Sequence, residues 1–263
     1  MDAALLLFLA LVGALVGFLS GLLGIGGGIV MFPLLLYVPP LLGFNGIDVK
    51  SITGLTMVQG FFSALTAMLY YHKNALVNKS LVLTLGLSVF LSSLIGSLAS
   101  KWATDGTLLM VFGMLALIAS IMMLIPRKYH DDDLTEDKVA FHKPTAVVIG
   151  VVLGLSIGLV GQGGAFILIP TLLYILKIPL RVALGSTLAI GLFSSSAGLI
   201  GKSITGQVPL LLSIPLLVGA IPAARLGSIV GKKTNTRFLK WLLAGIIFIT
   251  AIKVWMDILH SAV

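Results

Sequence analysis

Eight long apolar runs, separated by short polar stretches, make up most of this sequence. Six of them have the length of one membrane crossing, for which a helix needs about 20 apolar residues. Charged residues make up 10% of the 263 positions, whereas a soluble domain carries about 25%. The sequence therefore predicts an all-α polytopic membrane protein with its spans within residues 3–37, 51–71, 80–100, 107–125, 144–176, 182–201, 208–230 and 238–258.

The first and fifth runs are too long for one crossing, and each contains a glycine cluster about two thirds of the way along. The clusters lie in GLLGIGGGIVMFP, which begins at Gly21, and in GLVGQGGAFILIP, which begins at Gly158. Glycine in a helix interior costs about 1 kcal/mol relative to alanine. We therefore interpret each cluster as a break that turns its run into a helical hairpin.

The helix after each break would begin with unpartnered backbone N–H groups and with the positive end of its dipole. Such an end suits an anion, and glycine lets a ligand approach the backbone closely. We expect the two ends to converge near the middle of the membrane. The alternative role, close helix packing, is favoured for the glycines that recur at spacing four. These are Gly13, Gly17, Gly21, Gly150, Gly154 and Gly158.

The two halves of the chain are related to each other. An offset of 137 residues aligns the glycine clusters, for example Gly24 with Gly161. After the first long run the offset becomes 131, because VPPLLGFNGID is six residues longer than its counterpart. Duplication of this kind is typical of secondary transporters. We predict two inverted repeats, each with one glycine-broken hairpin and three transmembrane helices, at 1–126 and 144–263 with a linker at 127–143.

Positive charges predict which side of the membrane each loop faces, because Lys and Arg collect on the cytoplasmic side. If each long run crossed once, the Lys and Arg residues near the ends of the runs would divide eight against eight. If each long run folds back at its glycines, they divide twelve against four. This bias favours the folded-back arrangement, with both termini extracytoplasmic and the linker cytoplasmic. The minority side then carries Lys50, Lys101, Lys202 and Lys253.

Hydroxyl groups recur on one face of the helix that follows each hairpin, at spacings of three or four residues. Such a face lines a substrate path or holds helices together. Gln59 and Gln162 add larger polar groups, the second within a glycine cluster. The candidate substrate-binding residues are Gly24, Ile25, Gly26, Gly27, Gly28, Thr56, Gln59, Ser63, Gly161, Gln162, Gly163, Gly164, Thr187 and Ser194.

The charged residues favour an anionic substrate. None of the nine acidic residues lies in the middle of a predicted span, where cation carriers place a carboxylate. Arg225 is a candidate cation at the inner mouth of an anion path, with snorkelling to the membrane surface as the alternative. The spans contain no cysteine, no nucleophile–base pair and no metal-ligating cluster. We therefore expect neither an enzyme nor a metal or cofactor.

The paired stretches GLLGIGGGIVMFPLLLY and GLVGQGGAFILIPTLLY, with ALGSTLAIGLFSSSAGLIGKSITGQV after the second, resemble the sulfite exporter TauE/SafE family, also called TSUP. The resemblance covers nearly the whole chain. It implies a carrier in a prokaryotic cytoplasmic (inner) membrane that moves sulfite, thiosulfate, sulfonates or related organic anions. One departure is Asn74-Ala75 in place of the glycine expected after the second span.

Together these observations predict a secondary transporter of a small sulfur-containing anion. The carrier would alternate access and hold the anion at its paired half-helix N-termini. The alternatives are an anion-selective channel and an importer or exporter of a small carboxylate. The expected partners are the small anionic substrate and the lipid bilayer, without nucleic acid; a homo-oligomer is left open.

Overall fold

A computed structural model describes residues 3–24, 26–71, 77–125 and 141–261, and all regular structure in these ranges is helical. The first half contains α1 (Ala3–Leu23), α2 (Gly28–Leu41), α3 (Val49–Tyr71), α4 (Lys79–Ala99) and α5 (Asp105–Leu124). The second half contains α6 (Lys143–Val160), a 3-10 helix (Gln162–Ile167), α7 (Leu168–Tyr174), α8 (Leu180–Ile204), α9 (Leu210–Lys233) and α10 (Thr236–Ser261). Within these ranges, eight helices are long and apolar enough to cross a membrane. The predicted all-α polytopic membrane protein is confirmed.

Both over-long runs break at their glycines. In the first half, α2 has 14 residues, about 21 Å at 1.5 Å per residue, which is less than the roughly 30 Å of a bilayer core. In the second half the break is followed by the 3-10 helix and then by α7 of seven residues. The second half-helix therefore opens with a tighter turn, which is common at helix N-termini, instead of the regular α-helix that we expected.

The two helix pairs with the most extensive contacts are α1 with α9 and α4 with α6. Glycine faces hold both pairs together. A side-chain carbon on Gly17 of α1 would lie 2.7 Å from the Cα of Ala220 in α9. In the same way, one on Gly154 of α6 would lie 2.7 Å from the carbonyl oxygen of Val89 in α4. The backbones of α1 and α9, and of α6 and α4, can approach this closely only because the glycines lack side chains. The glycines at spacing four therefore have the packing role that their spacing favours.

Each of these contacts has a counterpart in the other half, and the two sequence offsets relate the residues of one contact to those of the other. Helix α1 corresponds to α6 at an offset of 137, and α4 corresponds to α9 at an offset of 131. Two copies related by a two-fold axis would make such matching contacts. This correspondence supports the duplication, while the inverted orientation in a membrane and the boundaries of the repeats stay predictions. The matching contacts are Gly17 to Ala220 and Gly154 to Val89, and Gly21 to Ser228 and Gly158 to Ser97.

Three of the four minority-side lysines lie at the same end of the bundle. The Lys50 Nζ donates to the Lys101 carbonyl oxygen at 2.9 Å, and the Lys202 Nζ donates to the Ser100 Oγ at 2.7 Å. Eight alternating crossings would place Lys202 at the opposite end from Lys50 and Lys101. The contacts therefore support the folded-back arrangement. Most of the predicted linker, up to residue 140, lies outside the described residues, and the side that faces the cytoplasm stays a prediction.

Replacing Gly17 by alanine tests the close approach of α1 to α9. Overpacking against a backbone costs about 1–3 kcal/mol, so we expect Gly17→Ala to lower the melting temperature of the purified protein in detergent. The matched control is Gly245→Ala in α10, where an added carbon would meet nothing within 4 Å. This control gains up to about 1 kcal/mol from helix propensity. Equal melting temperatures for the two variants would contradict the packing described above.

Candidate functional site

The break in the second half lies against the first turns of α3, which belongs to the first half. Gly161 has φ 87°, a left-handed conformation that favours glycine. A side-chain carbon at Gly161 would collide with the Thr56 Oγ1 and with the Thr53 carbonyl oxygen. The Thr56 Oγ1 donates to that carbonyl oxygen at 2.8 Å. We call this contact the Gly161 station; it consists of Gly161, Thr53 and Thr56.

The break in the first half makes the reciprocal contact with α8, which belongs to the second half. Gly24 has φ 69°, and a side-chain carbon there would lie 2.8 Å from the Leu184 carbonyl oxygen and 3.5 Å from the Thr187 Oγ1. The Thr187 Oγ1 donates to the Leu184 carbonyl oxygen at 3.0 Å. We call this contact the Gly24 station; it consists of Gly24, Leu184 and Thr187. Each predicted threonine therefore meets the predicted glycine break of the opposite half.

The two stations do not converge, contrary to our expectation. Helices α3 and α8 run antiparallel, with Met57 of α3 against Gly198 of α8. In this register Thr187 lies about three turns along the helix pair from Thr56, roughly 18 Å at 1.5 Å per residue. The reason is that α1 and α6 are each long enough to span, with 21 and 18 residues. Each break therefore lies towards the far end of its own helix, and the two breaks are displaced towards opposite ends.

Predicted polar residues occupy the buried interval between the two stations. Gln59, Ser63 and Ser194 have no exposed surface. The Gln59 Nε2 donates to the Ser63 Oγ at 2.8 Å, and the Ser194 Oγ donates to the Gly191 carbonyl oxygen at 3.0 Å. The Gln59 Oε1 is buried and has no hydrogen-bond partner within the described part of the chain. Turning the amide over would only exchange which of its two polar atoms lacks a partner.

The first glycine cluster shapes the start of α2. Gly26 and Gly27 both have φ 71°. Gly27 is the N-cap of α2, and Gly28 is the first residue of that helix. A side-chain carbon on Gly27 would lie 3.3 Å from the Cβ of Ser20 in α1. The Ser20 Oγ is buried and has no hydrogen-bond partner among the described residues. Sequence reasoning missed this serine because it lies in α1, outside the hydroxyl faces of α3 and α8.

The remaining predicted residues are placed as follows. Ile25 lies outside the described residues. Gln162, Gly163 and Gly164 form the first half of the 3-10 helix, and their side chains are not among those described. Arg225 is exposed on α9, so the structure does not bring it to the buried polar residues.

A lysine that sequence reasoning treated as a loop charge is buried at the Gly161 station. Lys202 has no exposed surface, and its Nζ donates to the Thr53 Oγ1 at 2.8 Å. Helix α8 continues to Ile204, beyond the apolar run that ended the predicted span at residue 201. The signal available in the sequence was the apolar Ile204 after the lysine, which indicates that the helix continues past it.

The profile of the sulfite exporter TauE/SafE family matches residues 9–254 of the chain. A probable membrane transporter protein of Xylella fastidiosa (strain Temecula1) is 32% identical over 238 residues, which cover 85% of this chain and 84% of the relative. A probable membrane transporter protein of Methanocaldococcus jannaschii is 28% identical, with 92% of each chain covered. The probable membrane transporter protein YunE of Bacillus subtilis is 24% identical, with 87% of this chain and 89% of the relative covered. No solved structure matches the chain.

Replacing Gly161 by alanine tests the station that this glycine forms. Left-handed backbone costs a non-glycine residue about 1–2 kcal/mol, and the collision with Thr53 and Thr56 adds about 1–3 kcal/mol. The matched control is Gly43→Ala, because Gly43 has φ 80° and nothing within 4 Å of an added carbon. We expect Gly161→Ala to melt at a lower temperature than Gly43→Ala. If both variants melt together, the close approach of the break to α3 is wrong.

Proposed function

Because the chain belongs to the sulfite exporter TauE/SafE family, we propose that it is a secondary transporter of a small sulfur-containing anion. The candidate substrates are sulfite, thiosulfate and an organosulfonate. The multi-pass protein would lie in a prokaryotic cytoplasmic membrane, with both termini extracytoplasmic, as the distribution of positive charge indicates. The carrier would work by alternating access and would perform no catalysis.

The observation that carries this proposal is the reciprocal contact of each glycine break with a threonine of the opposite half. We divide the helices into an α1 group, in which α9 packs on α1 and α3, and an α6 group, in which α4 packs on α6 and α8; α3 and α8 pack on each other where the two groups meet. The break after α6 rests on Thr56 of the α1 group, and the break after α1 rests on Thr187 of the α6 group. Both stations therefore lie between the groups. Rocking one group against the other would open one station while the other stays closed.

The chemistry of the stations suits an anion. Backbone N–H groups at a helix start and, at the Gly161 station, the buried ammonium group of Lys202 are hydrogen-bond donors. The Thr56 and Thr187 hydroxyls would become donors to a ligand by turning away from the carbonyl oxygens to which they now donate. Hydrogen bonds between such donors and an oxyanion are charge-assisted and about twice as strong as bonds between neutral groups. We propose that the anion occupies the two stations in turn and passes Gln59, Ser63 and Ser194 between them. This sequential occupancy of two separate stations replaces the single shared site predicted from the sequence.

A membrane potential would drive an anion outward without any coupling ion. Moving one charge through 100 mV changes its free energy by about 2.3 kcal/mol, and a dianion gains roughly twice as much. An interior-negative cell therefore expels the substrate. Proton-coupled import is the competing mode, and the direction of the potential separates the two.

Flux from proteoliposomes tests the proposal. We expect labelled sulfite to leave faster under an interior-negative potential than under an interior-positive one, with protein-free liposomes as the control. A flux that ignores the sign of the potential would contradict uniport. A current that is resolvable from single molecules would indicate the anion-selective channel instead of a carrier.

Replacing Gln59 by leucine separates a substrate contact from a structural one. The substitution removes the buried Oε1 without a partner, which costs about 1–3 kcal/mol when left unsatisfied. It also removes the hydrogen bond to the Ser63 Oγ, whose hydroxyl can donate to a carbonyl oxygen of its own helix instead. We therefore expect Gln59→Leu to keep or raise the melting temperature and to reduce sulfite flux at least tenfold. The matched control is Thr66→Val on α3, whose hydroxyl donates to the Phe62 carbonyl oxygen of its own helix. Normal flux in Gln59→Leu would remove this residue from the path.

A further inference from the structure

We propose that Lys202 is the counter-charge of the transported anion and that its ammonium group closes one end of the path when no anion is bound. The inference rests on the proposed function and assigns its charge recognition to one residue. The candidate ligands are oxyanions, and dianions should bind in preference to monoanions.

The Lys202 ammonium group is enclosed by four oxygen atoms. Its Nζ lies 2.7 Å from the Ser100 Oγ, 2.8 Å from the Thr53 Oγ1, 3.0 Å from the Gln207 Oε1 and 3.1 Å from the Leu159 carbonyl oxygen. We call these four oxygens and the Nζ the lysine cage. All four oxygens are neutral. Within the described ranges, the salt bridge is the exposed pair Lys253 and Asp257, so no carboxylate neutralises Lys202 there.

Each oxygen of the lysine cage can accept a hydrogen bond from the lysine. The Thr53 hydroxyl uses its own proton on the Lys50 carbonyl oxygen at 2.7 Å, and the Ser100 hydroxyl donates to the Ser97 carbonyl oxygen at 2.6 Å. An ammonium group has three donors, so four acceptors leave one in excess. An oxyanion can therefore replace a neutral acceptor while the lysine keeps three hydrogen bonds, and the new one is charge-assisted.

The lysine cage adjoins the Gly161 station. Leu159 lies in the last turn of α6, two residues before Gly161, and its carbonyl oxygen is one of the helix-terminal groups that lack an intrahelical partner. Thr53 belongs to both the lysine cage and the station, because its carbonyl oxygen faces Gly161. An anion bound at the glycine break would therefore lie close to the Lys202 ammonium group, with Thr53 in contact with both.

The lysine cage also connects the two helix groups at one end of the bundle. Lys202 and Leu159 belong to the α6 group, whereas Thr53 belongs to the α1 group. Gln207 follows α8 in the turn before α9, and Ser100 follows α4 directly. The hydrogen bonds of a single side chain thus hold together the segments that must separate for this end to open. An anion that takes over one of these bonds would release the contact with the α1 group.

A purely structural role for Lys202 does not explain why the other repeat lacks it. The offsets between the repeats place apolar or aromatic residues, or glycine, at every corresponding position. The corresponding helices of the first half therefore form with Tyr71 at the position of Lys202. The residues that correspond to Lys202, Thr53, Ser100, Gln207 and Leu159 are Tyr71, Leu184, Gly231, Leu76 and Leu22.

Retaining an unpaired buried charge is also costly. Ionisable residues within membrane spans are expensive and mark ion pathways, and replacing buried charges by apolar residues of similar volume is often neutral or stabilising. A buried lysine without a carboxylate partner among the described residues therefore points to a ligand of opposite charge. The oxyanion that the two stations suit has that charge.

Anion-dependent thermal stabilisation of the purified full chain tests the inference. The probes are sodium thiosulfate and sulfate as dianions, methanesulfonate as a monoanion and dimethyl sulfone as an uncharged analogue. We compare the wild type with Lys202→Met and with Lys202→Gln, which keeps hydrogen bonding without charge. The matched control is Lys101→Met, because Lys101 is an exposed lysine at the same end.

We expect Lys202→Met to raise the apparent dissociation constant for thiosulfate at least tenfold and to abolish the preference for dianions. Lys101→Met should stay within twofold of the wild type. Wild-type affinity in Lys202→Met would overturn the inference and leave the proposed function intact. A wild type that neither binds any of the four probes nor carries sulfite flux would overturn the proposed function itself. If neither Lys202 variant folds, Lys202 is required for the stability of the fold, and the inference is wrong.

Closure by Lys202 has a separate readout, because the chain contains no cysteine. Met57→Cys places one reactive thiol at a fully buried position, one turn beyond Thr53 on α3. In the otherwise wild-type protein, thiosulfate should speed its labelling by a membrane-impermeant maleimide. With Lys202→Met added, we expect labelling at least fivefold faster without anion and unaffected by thiosulfate. Equally slow labelling in both proteins would show that the lysine does not close this end.

Discussion

The contact of glycine faces with neighbouring backbones is the constraint on which the rest of this structure depends. Without a hydrophobic force between helices in lipid, close packing is a main source of association. Helix α1 packs on α9 and α6 packs on α4, so each pair joins a helix from one half to a helix from the other. The two sequence halves are therefore interleaved. Under the proposed rocking mechanism, the bodies that move would be the α1 group and the α6 group, each of which mixes both halves.

This interleaving explains why the glycine breaks meet the opposite half. Once α6 is fixed on α4, the chain leaving α6 at Gly161 emerges beside α3, and the chain leaving α1 at Gly24 emerges beside α8 by the same logic. A broken backbone at membrane depth is tolerated only in a protein interior or a wet cavity. The hydroxyl faces of α3 and α8 provide the polar part of that interior. Packing, helix breaks and candidate site are thus consequences of one arrangement.

Much of the architecture could be predicted from the sequence, because it depends on hydropathy and on glycine spacing. The six single helices, the two breaks and the packing role of the glycines at spacing four follow from local patterns. Whether the two hairpins span the membrane fully does not follow from them. The environments of the charged residues depend on which helix face is buried. Lys202 and Arg225 both stand near the C-terminal end of an apolar run, but Lys202 is enclosed by four oxygens and Arg225 is exposed. A single sequence does not distinguish these two environments, and it does not fix the register between α3 and α8 that separates the two stations.

A carrier built from two identical inverted copies would have inward-open and outward-open states of equal energy, because exchanging the copies converts one state into the other. The residues of the lysine cage are not repeated in the sequence of the other copy, since their counterparts are Tyr71 and four residues without polar side chains. If this protein alternates access as proposed, its two end states would therefore not be degenerate. The hydrogen bonds of the lysine cage, which the other copy's sequence does not repeat, would fix the resting orientation of the empty carrier, independently of any membrane potential.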